Sequence, residues 1–109
     1  MHDKPIELSD SNRVVRIRIG MYDSDCPFLS LSDKDGHERV ILNLAESGHG
    51  SLSFYTGEGQ PVLSIGMTSD TDAGMAILDP VNDAIVSIDL LAGVGKIRLR
   101  SNGSNYSWP

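Results

Sequence analysis

Three histidines, one cysteine and fifteen carboxylates are the residues through which this 109-residue chain could do chemistry, and their spacing argues against most of it. His2, His37 and His49 have no helical i, i+4 spacing and no clustered cysteines, so no zinc-ligand pattern forms. Cys26 precedes Pro27 beside Asp23 and Asp25, and acidic neighbours oppose the thiolate that a nucleophile needs. Asp33-Lys34-Asp35-Gly36 and Ser69-Asp70-Thr71-Asp72 have the look of calcium loops. A calcium site needs six or more oxygens and usually a bidentate Glu at a fixed distance. No such Glu follows and the Asp-x-Asp pair does not recur in later turns, so both segments read as turns. A weak cation patch would require loops 23–25, 46 and 70–72 to meet at one end of a sheet.

Gly48-His49-Gly50-Ser51 lacks the strand–turn–helix context of a nucleophile elbow. Gly57-Glu58-Gly59 and Gly93-Val94-Gly95 lack the following helix that a phosphate cradle uses. Arg16 with Arg18, and Arg98 with Arg100, could hold an anion if each pair shared a face. Asn102-Gly103-Ser104 and Asn105-Tyr106-Ser107 fit the glycosylation tripeptide but read as a polar tail. No nucleophile is joined to a base and no carboxylate pair to a cleft. The expectation is a protein that is not an enzyme, with no cofactor and no bound metal.

Composition narrows the classes further. Nine Lys and Arg against fifteen Asp and Glu give a charge of −6, a poor match for a nucleic-acid backbone. No apolar run is long enough to span a bilayer. The opening MHDKPIELSD has no apolar core or cleavage site of a secretory signal, so the expected location is cytoplasmic. One cysteine excludes an internal disulfide framework.

The elements that must position these residues are written in a 23-residue repeat. The blocks are 5–27, 28–50, 51–73 and 74–96, with a partial copy at 97–104 after a one-residue deletion near Ala92; residues 1–4 lead in and 105–109 form the tail. One apolar column holds Ile6, Leu29, Leu52, Met75 and Ile97, and the next holds Leu8, Leu31, Phe54, Ile77 and Leu99. The second half of each block adds Ile17, Val40, Leu63 and Val86, then Ile19, Leu42, Ile65 and Ile88, then Met21, Leu44, Met67 and Leu90. Every column steps by two, the strand period. Turns SDSNR, SDKDG, TGEGQ and DPVND lie between the halves, built from residues that accept left-handed geometry or fold onto local amides.

The unit predicted is strand, tight turn, longer strand and a five- to seven-residue loop. Nine strands follow, at 5–9, 14–21, 28–32, 38–44, 51–55, 61–67, 74–78, 84–90 and 96–100, with a frayed tail. One face of each strand is apolar, and the other carries Ser30, Asn43, Ser53, Ser64, Ser87, Asp89 and the arginines. The fold class is therefore all-β, a single domain over 5–100 of about four and a half β-hairpin repeats in an antiparallel meander. The meander could close as a barrel, bend into a sandwich or be completed by an oligomer. The alternative is a parallel β-solenoid with 23-residue coils.

All nine basic residues lie before Val40 or after Gly95. The last expected strand alternates Lys96, Arg98 and Arg100 with apolar residues. That pattern protects an edge, or else pairs with a first strand carrying Glu7 and Asp10, within one chain or between copies. Glu7, Asp10, Lys96, Arg98 and Arg100 are thus the candidate interaction edge. Two Phe, three Tyr and one Trp make a light core, and thin-cored small domains often gain stability from partners. The expected function is a structural or protein-interaction module that self-assembles as a homo-oligomer, with protein partners but no nucleic acid and no membrane. The alternative is a small-ligand or carbohydrate binder using Tyr22, Tyr55, Tyr106 or Trp108 beside loop carboxylates.

Leu29-Ser30-Leu31-Ser32-Asp33, continuing through Gly36, Arg39 and Leu42, resembles the L-x-L-x-D-x-x-G-x-x-R-x-x-L segments of uncharacterised bacterial repeat proteins. The other blocks drift, with Thr56 for the Asp, Asn82 for the Gly, and Val62 and Ile85 for the Arg. The resemblance covers about residues 5–100 and implies an all-β hairpin repeat without implying an activity. The MORN repeat has a similar length, but its aromatic, Gly-rich signature is absent here.

Overall fold

The computed structural model describes residues 4–79, 81, 84–101 and 104–108, the side chains of 84 and 104–108 excepted. The chain forms one sheet of ten strands that follow one another in space as they do in sequence. They are β1 (Ile6–Ser9), β2 (Val15–Met21), β3 (Pro27–Ser32), β4 (Glu38–Leu44), β5 (Gly50–Tyr55), β6 (Pro61–Met67), β7 (Ala73–Asp79), β8 (Ala84–Leu91), β9 (Val94–Ser101) and β10 (Ser104–Trp108). Every neighbouring pair is antiparallel. The hairpin meander is the observed architecture, and the parallel solenoid is excluded. So are the barrel and the sandwich: β1 and β10 lie at opposite ends of a single open layer.

The dimensions agree. Ten strands make nine steps of about 4.8 Å, or about 43 Å across the ladder, and the molecule measures 47 × 31 × 17 Å. Its radius of gyration of 16.5 Å exceeds the roughly 13 Å of a compact chain of this length.

Register confirms the columns. Ile19 stands opposite Leu29, Leu29 opposite Leu42, Leu42 opposite Leu52, Leu52 opposite Ile65, Ile65 opposite Met75, and Met75 opposite Ile88. On the reverse face the row runs Glu7, Arg18, Ser30, Ile41, Ser53, Ser64, Ala76, Ser87 and Arg98. The alternation of the sequence is therefore the alternation of the two faces.

Two expectations are corrected, at the connection near Ala92 and in the tail. The loops 22–26, 45–49 and 68–72 between repeats are five residues each, within the expected five to seven, and close as the turns within repeats do. Asp33 N–H donates to His37 O and Gly36 N–H to Asp33 O, and the same pair of bonds joins Ala45 with His49 and Gly48 with Ala45. Tyr22, Asp25 and Cys26 repeat it at the preceding connection. Each such turn needs one left-handed residue, met by Arg13, Asp25, Gly36, Gly48 and Gly59 in succession. At the deletion near Ala92 the connection shortens to Ala92-Gly93, both at positive φ (51° and 80°), the two-residue hairpin geometry.

The tail is the second correction. Residues expected to fray pair as β10, with Asn105 opposite Arg100 and Tyr106 opposite Leu99. Backbone groups alone can extend a ladder, which explains why a segment without apolar alternation joins it. His2, Pro80, Asn82, Asp83, Asn102 and Gly103, with the lead 1–3, fall outside the described residues.

Candidate functional site

The apolar columns converge on one face, and none of the described residues covers it. Among the described residues only Cys26 and Ser30 are buried, at 7% and 2% exposure. Leu42, Ile77 and Ile88, all in mid-strand, are 48%, 53% and 49% exposed. The chain presents 7766 Å² to solvent, against roughly 5,900 Å² for a compact monomer of 11.8 kDa. Unassociated soluble chains rarely leave apolar patches above a few hundred Å² exposed. The middle of the face carries no charge: Glu7, Arg18, Asp89, Lys96, Arg98 and Arg100 stand in register with the serine face, and Asp79 lies only at the turn end of β7, opposite Ala84.

The turn edge carries the polar chemistry. Asp33 Oδ1 accepts the N–H groups of Asp35 and His37, both at 3.0 Å, while Oδ2 takes Arg39 Nη1 at 3.3 Å. Arg39 Nε then donates to Tyr55 O, in the next hairpin, at 2.7 Å. One repeat earlier, Asp10 holds Asn12, Val14 and Arg16 in the same way, and Arg16 Nε reaches Ser32 O at 2.6 Å. Each arginine occupies a β-bulge: Leu31 pairs with Val40 and Ser32 with Glu38, so Arg39 is passed over. Arg16 is passed over likewise between Ile17 and Val15. A bulge re-aims its side chain, here along the turn edge. The third repeat keeps the bulge at Val62 and the cap at Thr56 Oγ1, but has no arginine to complete it.

Partial burial pushes the Asp33 carboxyl up, but the His37 and Asp35 amides and the Arg39 guanidinium outweigh it and set it below the ordinary carboxylate value. Asp10 is lowered too, chiefly by the Val14 amide, against its own desolvation and helped by Asn12 and Arg16. Asp33, Asp35 and His37 bring ligand atoms together, yet Asp33 is already occupied by two amides and an arginine. The cluster is a turn, as its sequence suggested.

Within one chain the candidate interaction edge is not one surface. Glu7 lies on β1 and pairs with Arg18 at 2.8 Å, and Asp10 pairs with Arg16 at 3.3 Å. Lys96, Arg98 and Arg100 lie on β9, at the far side of the sheet and inside β10, so β9 neither ends the sheet nor meets β1. Arg98 faces Asp89 at 3.8 Å and Lys96 stands opposite Asp89 in register.

Of the residues considered for a ligand site, Tyr22 and Tyr55 lie within electrostatic reach of one another, and Tyr22 within that of Glu38. Tyr22 stacks on Phe28 with ring centroids 4.5 Å apart, and burial, helped by Glu38 and Tyr55, raises its hydroxyl pKa. Tyr55 lines a shallow groove with Glu38 and Glu58. The side chains of Tyr106 and Trp108 lie outside the described set. At the opposite edge His49 Nε2 meets Asp70 at 2.9 Å, tying two loops one repeat apart. Sequence reasoning missed that contact and the arginine bulges; the recurrence of arginine six residues after the turn aspartate was their visible signal.

No helix is long and apolar enough to cross a membrane. Comparison with protein-family models, curated proteins and solved structures finds no match for the chain.

Proposed function

We propose that this chain is a non-catalytic structural and interaction module that works by laying the apolar face of its sheet against another protein layer. The observation that carries the reading is a continuous apolar face, uncharged in its middle, left half-exposed across the described strands of the sheet. A one-layer sheet has no interior of its own, so burial of that face is the main source of stability open to it. Hydrogen bonding along the ladder aligns the strands but does not remove the face from water.

The test compares Leu42→Asp with Ser53→Asp, which put the same charge on opposite faces of adjacent strands. Mass by light scattering across a dilution series, with binding of a hydrophobic dye, is the readout. Wild type and Ser53→Asp are expected as the same multimer, and Leu42→Asp as a monomer that keeps its strand signal. Retention of the wild-type mass by Leu42→Asp overturns the reading, as does a wild-type monomer that binds no dye.

A further inference from the structure

We infer that the layer covering the apolar face is a second copy of this chain, seated face to face with its strand order reversed, β1 over the β10 of its partner. The inference rests on the proposed role of that face and commits its occupant. Three features of the sheet support it.

The first is area. The face measures about 47 by 31 Å, roughly 1,400 Å² in outline, where a stable interface needs about 800 Å² from each partner. The surface in excess of a compact monomer, roughly 1,900 Å² per chain, is more than the roughly 800 Å² that each partner of such an interface buries.

The second is low twist. Ordinary twist of about 20° per step would turn the outer strands through about 180° over nine steps, and the thickness would approach the strand length. The thickness of 17 Å, more than one layer but well under the 31 Å of the middle dimension, marks a twist smaller than that sum. Sheets of many strands that twist little are characteristically held by stacking on another sheet. The best geometric match to such a sheet is one with the same twist.

The third is relief. Along the loop edge of the apolar face, large and small residues alternate strand by strand. Met67 stands opposite Ala73, Ala73 opposite Leu90, and Leu90 opposite Gly95; Leu44 stands opposite Gly50. The period is two strands, about 10 Å, so the face is a comb of ridges with gaps between them. Around Ala73 and Gly95 the gap opens into an apolar groove of about 550 Å³. A second copy in reversed strand order lays β4 over β7 and β2 over β9, so the ridges of the even strands meet the gaps of the odd ones, as facing layers interdigitate in packed cores. A two-fold arrangement of this kind is closed: it buries both apolar faces and leaves both serine faces in water.

Ala73→Leu tests the comb because it fills a gap while adding apolar surface. The proposal expects a wild-type mass of twice 11.8 kDa. It also expects Ala73→Leu to raise the dimer dissociation constant about 100-fold, roughly tenfold at each of the two symmetry-related gaps. Ala73→Gly is expected to leave the constant within a few-fold. If Ala73→Leu alters the strand signal, Gly95→Leu makes the same test at a position where a new Cβ meets no atom within 4 Å. Unchanged or tighter association by the leucine variants overturns the comb, because area alone would then govern. A mass of three or more protomers, or a wild-type monomer that binds dye, overturns the dimer while leaving the wider reading of the face intact. Retention of mass by Leu42→Asp overturns both.

Discussion

Arg39 donates from Nε to the backbone carbonyl of Tyr55, sixteen residues further on and in the next hairpin, at 2.7 Å. With its other end on Asp33, Arg39 joins the turn of one repeat to the strand of the next. The same bond between Arg16 and Ser32 sets the repeat before it. The D-x-x-G-x-x-R spacing is thus a structural staple: the carboxylate closes the turn, the glycine supplies the left-handed residue, and the arginine, aimed by its bulge, carries the connection forward.

Transplanting the staple to the third repeat should therefore stabilise the sheet. Thr56→Asp with Val62→Arg restores both partners at a bulge that already exists. The pair is expected to gain about 0.5–1 kcal/mol in denaturant unfolding, with less from either single change. Additive single effects would show that the two positions do not cooperate.

Acid should loosen the N-terminal repeats. Asp10 and Asp33 have carboxyls held below their ordinary value of 3.8 in the folded chain. Their contribution is complete above that ordinary value and is lost as pH falls through the lowered folded values. Asp10→Asn with Asp33→Asn keeps an acceptor for the turn amides but removes the charge, so stability should depend less on pH below about 4. An unchanged acid limb would place the titration elsewhere.

Left-handed positions held by side-chain residues should gain from substitution. Arg13 stands at φ 66°, where later turns have Gly36 and Gly59, and Ala92 stands at φ 51°. Arg13→Gly and Ala92→Asn are each expected to raise stability by about 0.5–1 kcal/mol, since glycine and asparagine tolerate this region. Thermal unfolding of the single variants decides it, and loss of stability in both would contradict the turn assignment.

Gly66 should resist the change that usually helps a strand. Alanine there would bring Cβ to 3.1 Å from Ser51 Cβ and 3.3 Å from the Gly50 carbonyl. Ser51 is held by its hydroxyl on Asn43 at 2.7 Å. Gly66→Ala is expected to cost about 1 kcal/mol in urea unfolding, in place of the gain expected at an open strand position.

Much of this architecture was legible beforehand. Columns such as Leu29, Leu42, Leu52 and Ile65 step by two and recur every repeat, and a strand's faces follow directly from that period. The turn glycines could be placed because only a few residue types accept positive φ. Arg39 was legible as a recurring letter but not as a staple, because its aim depends on a register shift that exists only once β3 and β4 have paired. β10 was missed because its pairing draws on backbone groups that every residue carries. Lys96, Arg98 and Arg100 looked terminal for the same reason.

Periodicity alone settled that the chain is all-β, which residues share a face and where the turns fall, since each of these is a local consequence of residue type. Whether the ladder closes, curls or stays open was left to the tertiary structure. That outcome depends on small twists summed over nine strand pairings, a quantity no single segment encodes. The sum here is an open sheet, which leaves the apolar face that any account of this protein must cover.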